Sequence, residues 1–287
     1  MAEKIPVSVL VMTKNEEMNL EGCLRSVQRA GEIVIVDSHS SDGTLDIAEK
    51  YTGRIYQYDW DGRWPKKSWS LETPQFSNDW ILMIDADERA TDEFMDELSG
   101  VAARPDNGTA GYLVRYDYRF LGRVLKYGDP VRKLVLFRKS RARFERYDIK
   151  GTSESPFLEM GHEHPILDGK IGRMKARLLH EDMRPLYYYF ERHNRYSTWE
   201  ACKRAGAAKT RHIEGNIAGD TVEIRRFCKN CFLRLPFKPL LYFTYSYIFR
   251  LGFLDGYPGL CYNICKAVYS LQIGMKMYEI KLNGDKK

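Results

Sequence analysis

Asp79-Trp-Ile-Leu-Met-Ile-Asp-Ala-Asp-Glu-Arg89 decides the fold. Trp80–Ile84 is a short apolar run bounded by carboxylates, so it reads as a buried strand. Asp85 and Asp87 follow at alternate positions. Alternate residues of an extended segment point the same way, so both carboxylates are expected to leave the strand end on one side. Two hard oxygen ligands at that spacing suit Mg²⁺ or Mn²⁺ carrying a diphosphate. The plainer reading is an acidic turn leading into the next helix, which Thr91 caps with Asp92 and Glu93 in its first turn.

Upstream, strand and helix patterns alternate. Val7–Met12 is an apolar, β-branched run. Asn15 is expected to cap a helix through about Arg29, with Gly31 past its end. Ile33–Val36 is a second strand, ending in the polar turn Asp37-Ser-His-Ser-Ser-Asp-Gly-Thr44, which feeds a helix to about Tyr51. Arg54–Tyr58 is a third strand. This βαβα order predicts a parallel sheet covered on both faces, with ligands at the carboxyl ends of its strands. Those ends carry Thr13-Lys-Asn-Glu16, Asp37-Ser38 and Asp85-Ala-Asp87.

Downstream the character changes. Gly111–Phe120 and Lys133–Arg138 read as strands, with turns at Leu121-Gly122-Arg123 and Gly128-Asp129-Pro130. From Pro185 the pattern is helical, and Pro236, Pro239, Gly252, Gly256 and Gly259 are expected to break the last hundred residues into short helices.

The 287 residues are enough for about two domains and for a core that needs no disulfide or metal staple. With 44% hydrophobic and 29% charged residues, global disorder is excluded. No run of 18 apolar residues predicts a transmembrane helix, and the N-terminus reads as a strand rather than a signal peptide, which favours the cytoplasm. The net charge of +6 hides a split: residues 1–100 hold 10 Lys and Arg against 20 Asp and Glu, and the remainder holds 35 against 19. The basic part is expected to face phosphate, nucleic acid or a lipid surface. Arg115–Lys150 alone carries twelve cationic and four acidic residues, and Arg-rich strands can grip phosphates bidentately. No nucleic-acid motif is present. Cys228-x-x-Cys231 and Cys261-x-x-x-Cys265 have zinc-like spacing, but they lie in helical, aromatic sequence without Gly-rich knuckles and read as reduced thiols.

Asp37 can accept from a base or ribose at the sheet edge, or it can cap its own turn. Lys66-Lys67 can meet a phosphate or remain a solvated pair. Phe227–Tyr278 interleaves Lys and Arg with Tyr, Phe and Leu. Its stretch Phe237–Arg250 is too short and broken to span a bilayer, but suits an interface with aromatics at headgroup depth. The alternative is a helical appendage packed on the preceding domain.

The combination Val9-Leu-Val-Met-Thr-Lys-Asn-Glu-Glu17, Glu32-Ile-Val-Ile-Val-Asp-Ser-His-Ser-Ser-Asp-Gly-Thr44 and Asp79–Arg89 resembles the family 2 glycosyltransferases of the GT-A fold, in particular bacterial lipopolysaccharide-core β-1,4-glucosyltransferases. Gly122-Arg123, Leu136-Phe-Arg138, Ala142-Arg-Phe144, His162-Glu163, Leu179-His180 and Asn194-Arg-Tyr-Ser197 extend the resemblance to about residues 5–200. It implies an α/β fold: a GT-A, Rossmann-like mixed sheet with a helical C-terminal appendage. The catalytic domain would span 1–183, with a nucleotide-binding half at 1–100 and an acceptor half at 101–183, and the helical region 184–287. It implies that Thr13, Asn15 and Glu16 lie by the ribose and base, that Asp37 contacts the base, usually uracil, and that Lys67 lies by the diphosphate. Where the family often has Asn after that Lys, this chain has Ser68. Asp85 would contact the ribose or donor sugar, Asp87 the metal (Mn²⁺ or Mg²⁺), and His180 would complete its shell, although a structural role suits that His as well.

Inverting transfer needs a base for the acceptor hydroxyl. Glu163, in Gly161-His-Glu-His-Pro165, stands at the distance where the family places its catalytic acid; Glu154, Asp148 and the pair Glu181-Asp182 compete with it. The expected activity is transfer of a hexose such as glucose from a UDP-sugar to a lipid-linked or phosphorylated glycan. The expected place is the cytoplasm, peripheral on the inner face of the cytoplasmic membrane. A nucleotidyltransferase would share the sheet and acidic ligands, but Thr13-Lys-Asn-Glu-Glu17 is not the Gly-rich phosphate loop such an enzyme needs. A non-catalytic membrane-surface protein on a decayed transferase fold is the other alternative.

Overall fold

The computed structural model describes residues 4–59, 66–128, 131–144, 165–207 and 237–284. It divides into two compact units: Met1–Val124 with Pro130–Arg184, and Leu125–Asp129 with Pro185–Lys287.

The first unit opens with β1 (Ile5–Thr13), α1 (Leu20–Ser26), β2 (Ala30–Asp37), α2 (Thr44–Glu49), β3 (Ile55–Gln57), α3 (Lys66–Glu72), β4 (Trp80–Asp85), β5 (Glu88–Ala90) and α4 (Asp92–Ala102). It continues with β6 (Thr109–Phe120), β7 (Arg123–Leu125), β8 (Arg132–Arg138), β9 (Ala142–Arg143), β10 (Ile166–Leu167) and β11 (Lys170–His180). The large sheet runs β3-β2-β1-β4-β8-β6-β11-β5, with β7 paired to β6. β1, β2, β3 and β4 are mutually parallel, and β8 inserts antiparallel between β4 and β6.

β1 is buried on both faces, which is why it reads as a continuous apolar run. Val7, Val9 and Val11 pack with Leu20, Leu24, Phe94 and Leu98 on one face. Leu10 packs with Val34, Val36, Tyr58, Ile81 and Phe137 on the other. Truncating a side chain such as Leu10 would cost about 2–5 kcal/mol. The chain runs outward from β1 through β2 to β3, then returns to place β4 on the other flank of β1. The carboxyl ends of β1 and β4 therefore border a topological switch point, where open α/β sheets bind ligands.

Three local expectations need correction. Asn15 does not cap a long helix: it is left-handed (φ 54°), and α1 starts only at Leu20. Its amide is spent elsewhere, on Ser41, and Asn tolerates this backbone region better than most residues. Gly31 lies inside β2 rather than beyond a helix. Asp85 and Asp87 are not on one extended segment, because Ala86-Asp87 is a turn that reverses the chain so that β5 pairs antiparallel with β11. The Thr91 cap stands as expected, its hydroxyl accepting from Phe94 N at 3.2 Å.

In the second unit, α5 (Leu186–Ala207) is followed, among the described residues, by a helix at Lys238–Phe243, a π-helical turn at Thr244–Phe249, a 3₁₀ turn at Gly252–Asp255 and a long helix at Gly256–Gly284. Gly259 does not break that last helix. It sits in the first turn, where a Cβ would come within 2.5 Å of the Gly252 carbonyl oxygen. No described helix is long and apolar enough to cross a membrane.

Candidate active site

Thr13 and Asp37 end adjacent parallel strands in register. The Thr13 hydroxyl donates to Asp37 Oδ1 at 2.7 Å, and Ser40 adds its backbone N–H to Oδ2 at 2.7 Å and its hydroxyl to Oδ1 at 2.6 Å. Burial alone would raise the Asp37 pKa, but these donors and Lys66 hold it below the usual value. Asp37 is thus fully buried and anchors its own turn, the second of the two roles read from the sequence. The loop after β1 is stitched to that turn: Asn15 N donates to Ser40 Oγ at 2.8 Å and Glu16 N to Thr44 Oγ1 at 2.8 Å. Asn15 itself is exposed at the rim.

The reversal at Ala86-Asp87 gives the two carboxylates different environments. The Asp85 side chain is 51% exposed and that of Asp87 only 6%. Asp87 Oδ1 lies 3.5 Å from His180 Nδ1, because β11 pairs His180 opposite Glu88, and Glu181 N donates to the Asp87 carbonyl at 2.8 Å. The His180 ring stacks at a tilt on Tyr118, 4.4 Å between centroids. Desolvation opposes ionisation of Asp85, but Lys133 foremost, then Lys67 and His180, hold its carboxyl well below the usual range. Lys67, in the first turn of α3, is thus one of the cations whose field reaches this strand end.

Glu16 turns inward rather than toward the rim. Its Oε1 accepts from Arg184 at 3.0 Å, and Oε2 accepts from Asn19 at 2.9 Å. Arg184 also grips Asp182 with two nitrogens, at 2.8 and 3.0 Å, and reaches within 3.9 Å of Asp87 Oδ2. Burial lifts the Glu16 carboxyl to about 7 against the pull of Arg184.

Sequence reasoning missed Arg184, Glu88 and Lys133, and it weighed Lys66 with Lys67 only as a phosphate contact or a solvated pair. Lys66 is buried, with its ammonium donating to the Thr13 carbonyl at 2.8 Å and to the Ser38 hydroxyl. Glu88 lay within the quoted acidic stretch, but between Asp87 and Arg89 nothing marked it as buried. Lys133 and Arg184 gave none, since only long-range pairing brings them here. The basic face proposed from Arg115–Lys150 is also less open than its composition implied: Arg119, Lys133, Arg138 and Arg141 are each engaged by a carboxylate. Glu163, Glu154, Asp148, Cys228 and Cys231 lie outside the described residues; Cys261 and Cys265 sit one turn apart on the last helix.

Among the described residues, no three His, Cys, Asp or Glu side chains cluster to hold a metal unaided. Asp87 and His180 do offer a carboxylate oxygen and an imidazole nitrogen that face each other. That pair fits a divalent ion whose remaining ligands are phosphate oxygens and water.

Known proteins share this arrangement of sequence. The chain is 29% identical to the lipopolysaccharide core biosynthesis glycosyltransferase LpsC of Rhizobium meliloti (strain 1021), over 97% of this chain and 94% of that one. Among solved structures, it is similar to S. aureus TarS 1–349 in complex with UDP at 15% identity and a TM-score of 0.41, covering 93% of this chain and 91% of the other. It is also similar to glucosyl-3-phosphoglycerate synthase from Mycobacterium tuberculosis in complex with Mn²⁺, UDP and glucosyl-3-phosphoglycerate, at 20% identity and a TM-score of 0.30. That match spans 41% of this chain and 45% of the other. The sheet described above is the GT-A mixed sheet with a C-terminal helical appendage. The sequence profile of glycosyl transferase family 2 matches residues 8–158, just over half the chain, from within β1 through β2, β3 and β4, so this protein belongs to that family and is a glycosyltransferase.

Proposed function

We propose that the protein is an inverting, metal-dependent hexosyltransferase. It moves a hexose such as glucose from a UDP-sugar to a lipid-linked or phosphorylated glycan of the lipopolysaccharide-core type. It works as a peripheral protein on the inner face of the cytoplasmic membrane. The observation that carries the reading is the meeting of Asp87 with His180 at the switch point, beside Asp85, whose carboxyl is held below the usual range by Lys133 first, then Lys67. Family membership sets aside the nucleotidyltransferase alternative, and similarity to LpsC along nearly the whole chain supports the acceptor class.

In this reading the nucleoside lies along the Thr13–Asn15 rim, with Asp37 fixing the turn that frames it. Lys67 faces the diphosphate, and Asp85 accepts hydrogen bonds from the ribose or donor sugar. Asp87 and His180 would hold Mn²⁺ or Mg²⁺, which when bound neutralises the departing diphosphate. Glu163 takes the proton from the acceptor hydroxyl as it attacks the anomeric carbon from the far side. One displacement inverts the centre, so no covalent nucleophile is needed.

The test is calorimetric titration of the full-length protein with UDP, with and without Mn²⁺, followed by a UDP-sugar panel offered with membrane lipid extract and read by mass spectrometry. Mn²⁺-dependent UDP binding and a single hexose increment on a lipid-linked product are expected. UDP binding that is indifferent to EDTA would overturn the metal site, and the absence of any glycosylated lipid would overturn the acceptor class.

A further inference from the structure

We propose that Lys133 is a positioning residue for the sugar donor: it reaches from β8 to fix the carboxylate of Asp85 at the end of β4, with Glu88 as the buried counter-ion that holds Lys133 in place. The proposal rests on the reading that Asp85 contacts the donor.

The geometry is a closed triangle. Lys133 Nζ lies 2.6 Å from Glu88 Oε1 and 3.3 Å from Asp85 Oδ2. Glu88 Oε2 accepts the backbone N–H of Asp85 at 3.1 Å and the hydroxyl of Tyr116 at 3.1 Å. The ammonium also sits over the Tyr116 ring, 4.8 Å from its centroid. Glu88 therefore fixes Asp85 twice, once through its main chain and once through the lysine that holds its side chain. Its own position is set by β5, which pairs with β11.

An ion pair of this kind is a poor device for stability alone. Removing Glu88 and Lys133 from water is costly, and well-packed apolar side chains of similar volume would hold the sheet at least as firmly. An apolar pair could not give direction to a half-exposed carboxylate. Without the ammonium, Asp85 would share its turn with two further carboxylates, Asp87 and Glu88, and would be free to swing toward solvent. With it, one carboxylate oxygen is anchored and the other is left to accept from a donor hydroxyl. Preorganised acceptors of this kind bind better because the ordering is already done.

The experiment is a double-mutant cycle on the full chain, with UDP-glucose and MnCl₂ as the probe. It compares wild type, Lys133→Met, Asp85→Asn and the double variant by calorimetric Kd and by the kcat and KM of donor hydrolysis. Lys133→Met is expected to weaken UDP-glucose about 10-fold, the scale of one charge-assisted hydrogen bond. The double variant should bind no worse than Asp85→Asn, and Lys133→Arg should restore most of the affinity. A residue needed only for packing would lower Tm and the active fraction but leave Kd unchanged. Additive losses, or an unchanged Kd in folded Lys133→Met, overturn the proposal while leaving the donor role of Asp85 intact. Wild-type affinity in Asp85→Asn removes that role and this proposal with it. If Lys133→Met does not fold, Lys133→Gln, which keeps a donor beside Glu88 without the charge, is carried through the same cycle. If neither folds, Lys133 serves folding and the proposal falls.

Discussion

His180 Nδ1 and Asp87 Oδ1 lie 3.5 Å apart although the two residues are far apart in sequence, one on the last strand of the unit and one in the turn after β4. Antiparallel pairing of β5 with β11 makes this meeting, so the donor pair is a property of the sheet rather than of a flexible loop. Asp87→Ala should weaken Mn²⁺-dependent UDP binding and cut turnover by more than about 100-fold, since a Lewis acid supplies several kcal/mol of charge stabilisation. His180→Ala should lower the apparent Mn²⁺ affinity while leaving some activity at high Mn²⁺. Both are read by titrating activity and UDP affinity against MnCl₂. Unchanged Mn²⁺ dependence in both variants would remove the assignment.

Glu163→Gln should spare donor binding and lower kcat by about 10²–10⁴, the usual contribution of a positioned base. The amide keeps the shape and loses the proton acceptor. Near-normal turnover, or a parallel loss of donor affinity, would move the assignment to Glu154 or Asp148. Steady-state kinetics paired with UDP calorimetry separates these outcomes.

Glu16 sets a pH dependence of stability. Burial lifts its carboxyl from the ordinary 4.5 to about 7, against the lowering effect of Arg184. The folded state thus binds more protons than the unfolded state between those values, so stability falls as pH rises through that window. Glu88 behaves alike, raised to about 7 by burial despite Lys133. Glu16→Gln keeps an acceptor for Arg184 and has no proton to lose. The variant's urea midpoint should fall less between pH 4.5 and 8 than that of wild type, with the residual slope due to Glu88. Identical slopes in the two proteins would contradict the raised pKa of the Glu16 carboxyl.

The strand ends were legible in the sequence because each closes a short apolar run with a carboxylate or hydroxyl, and burial on both faces makes such runs conspicuous. Thr13, Asp37 and Asp85 were found that way. The inward turn of Glu16 and the left-handed Asn15 were not, because both depend on partners that arrive later in the chain: Arg184 for one, Ser40 and Ser41 for the other. Lys133 read as one more cation in a basic stretch. Only the insertion of β8 beside β4, a non-local antiparallel pairing with no sequence signature, brings its ammonium to the active strand end.

In the second unit, Asp255 is the local clamp. Its buried carboxylate accepts the backbone N–H of Lys126 at 3.1 Å and of Tyr127 at 3.0 Å. Asp255→Ala leaves those donors without their acceptor and should cost about 1–3 kcal/mol of unfolding free energy. Hydrogen exchange at the Lys126 and Tyr127 amides should accelerate with it. Unchanged protection at both amides would show that the clamp contributes nothing.

The same unit carries the membrane prediction. Phe237, Leu240, Tyr245, Ile248, Phe249 and Tyr257 are all exposed, with Phe249 at 74% and Tyr257 at 73%. Among residues 237–284 the cations Lys238, Arg250, Lys266, Lys276 and Lys281 face two acids, of which Asp255 is buried. Aromatic side chains beside cations match an anionic bilayer interface, where rings sit at headgroup depth. The two attractions separate by salt. Each Lys or Arg near an anionic leaflet contributes about 1 kcal/mol, screened within a Debye length, whereas insertion of the rings is not screened. High salt alone should therefore release only part of the protein from anionic vesicles. Salt combined with Tyr245→Ser and Phe249→Ser should release nearly all of it, and neutral vesicles should retain less at every salt concentration. Co-sedimentation reads each arm. Protein that stays in the supernatant throughout, yet glycosylates a soluble acceptor efficiently, would sink the membrane assignment and leave these side chains to pack against another protein surface.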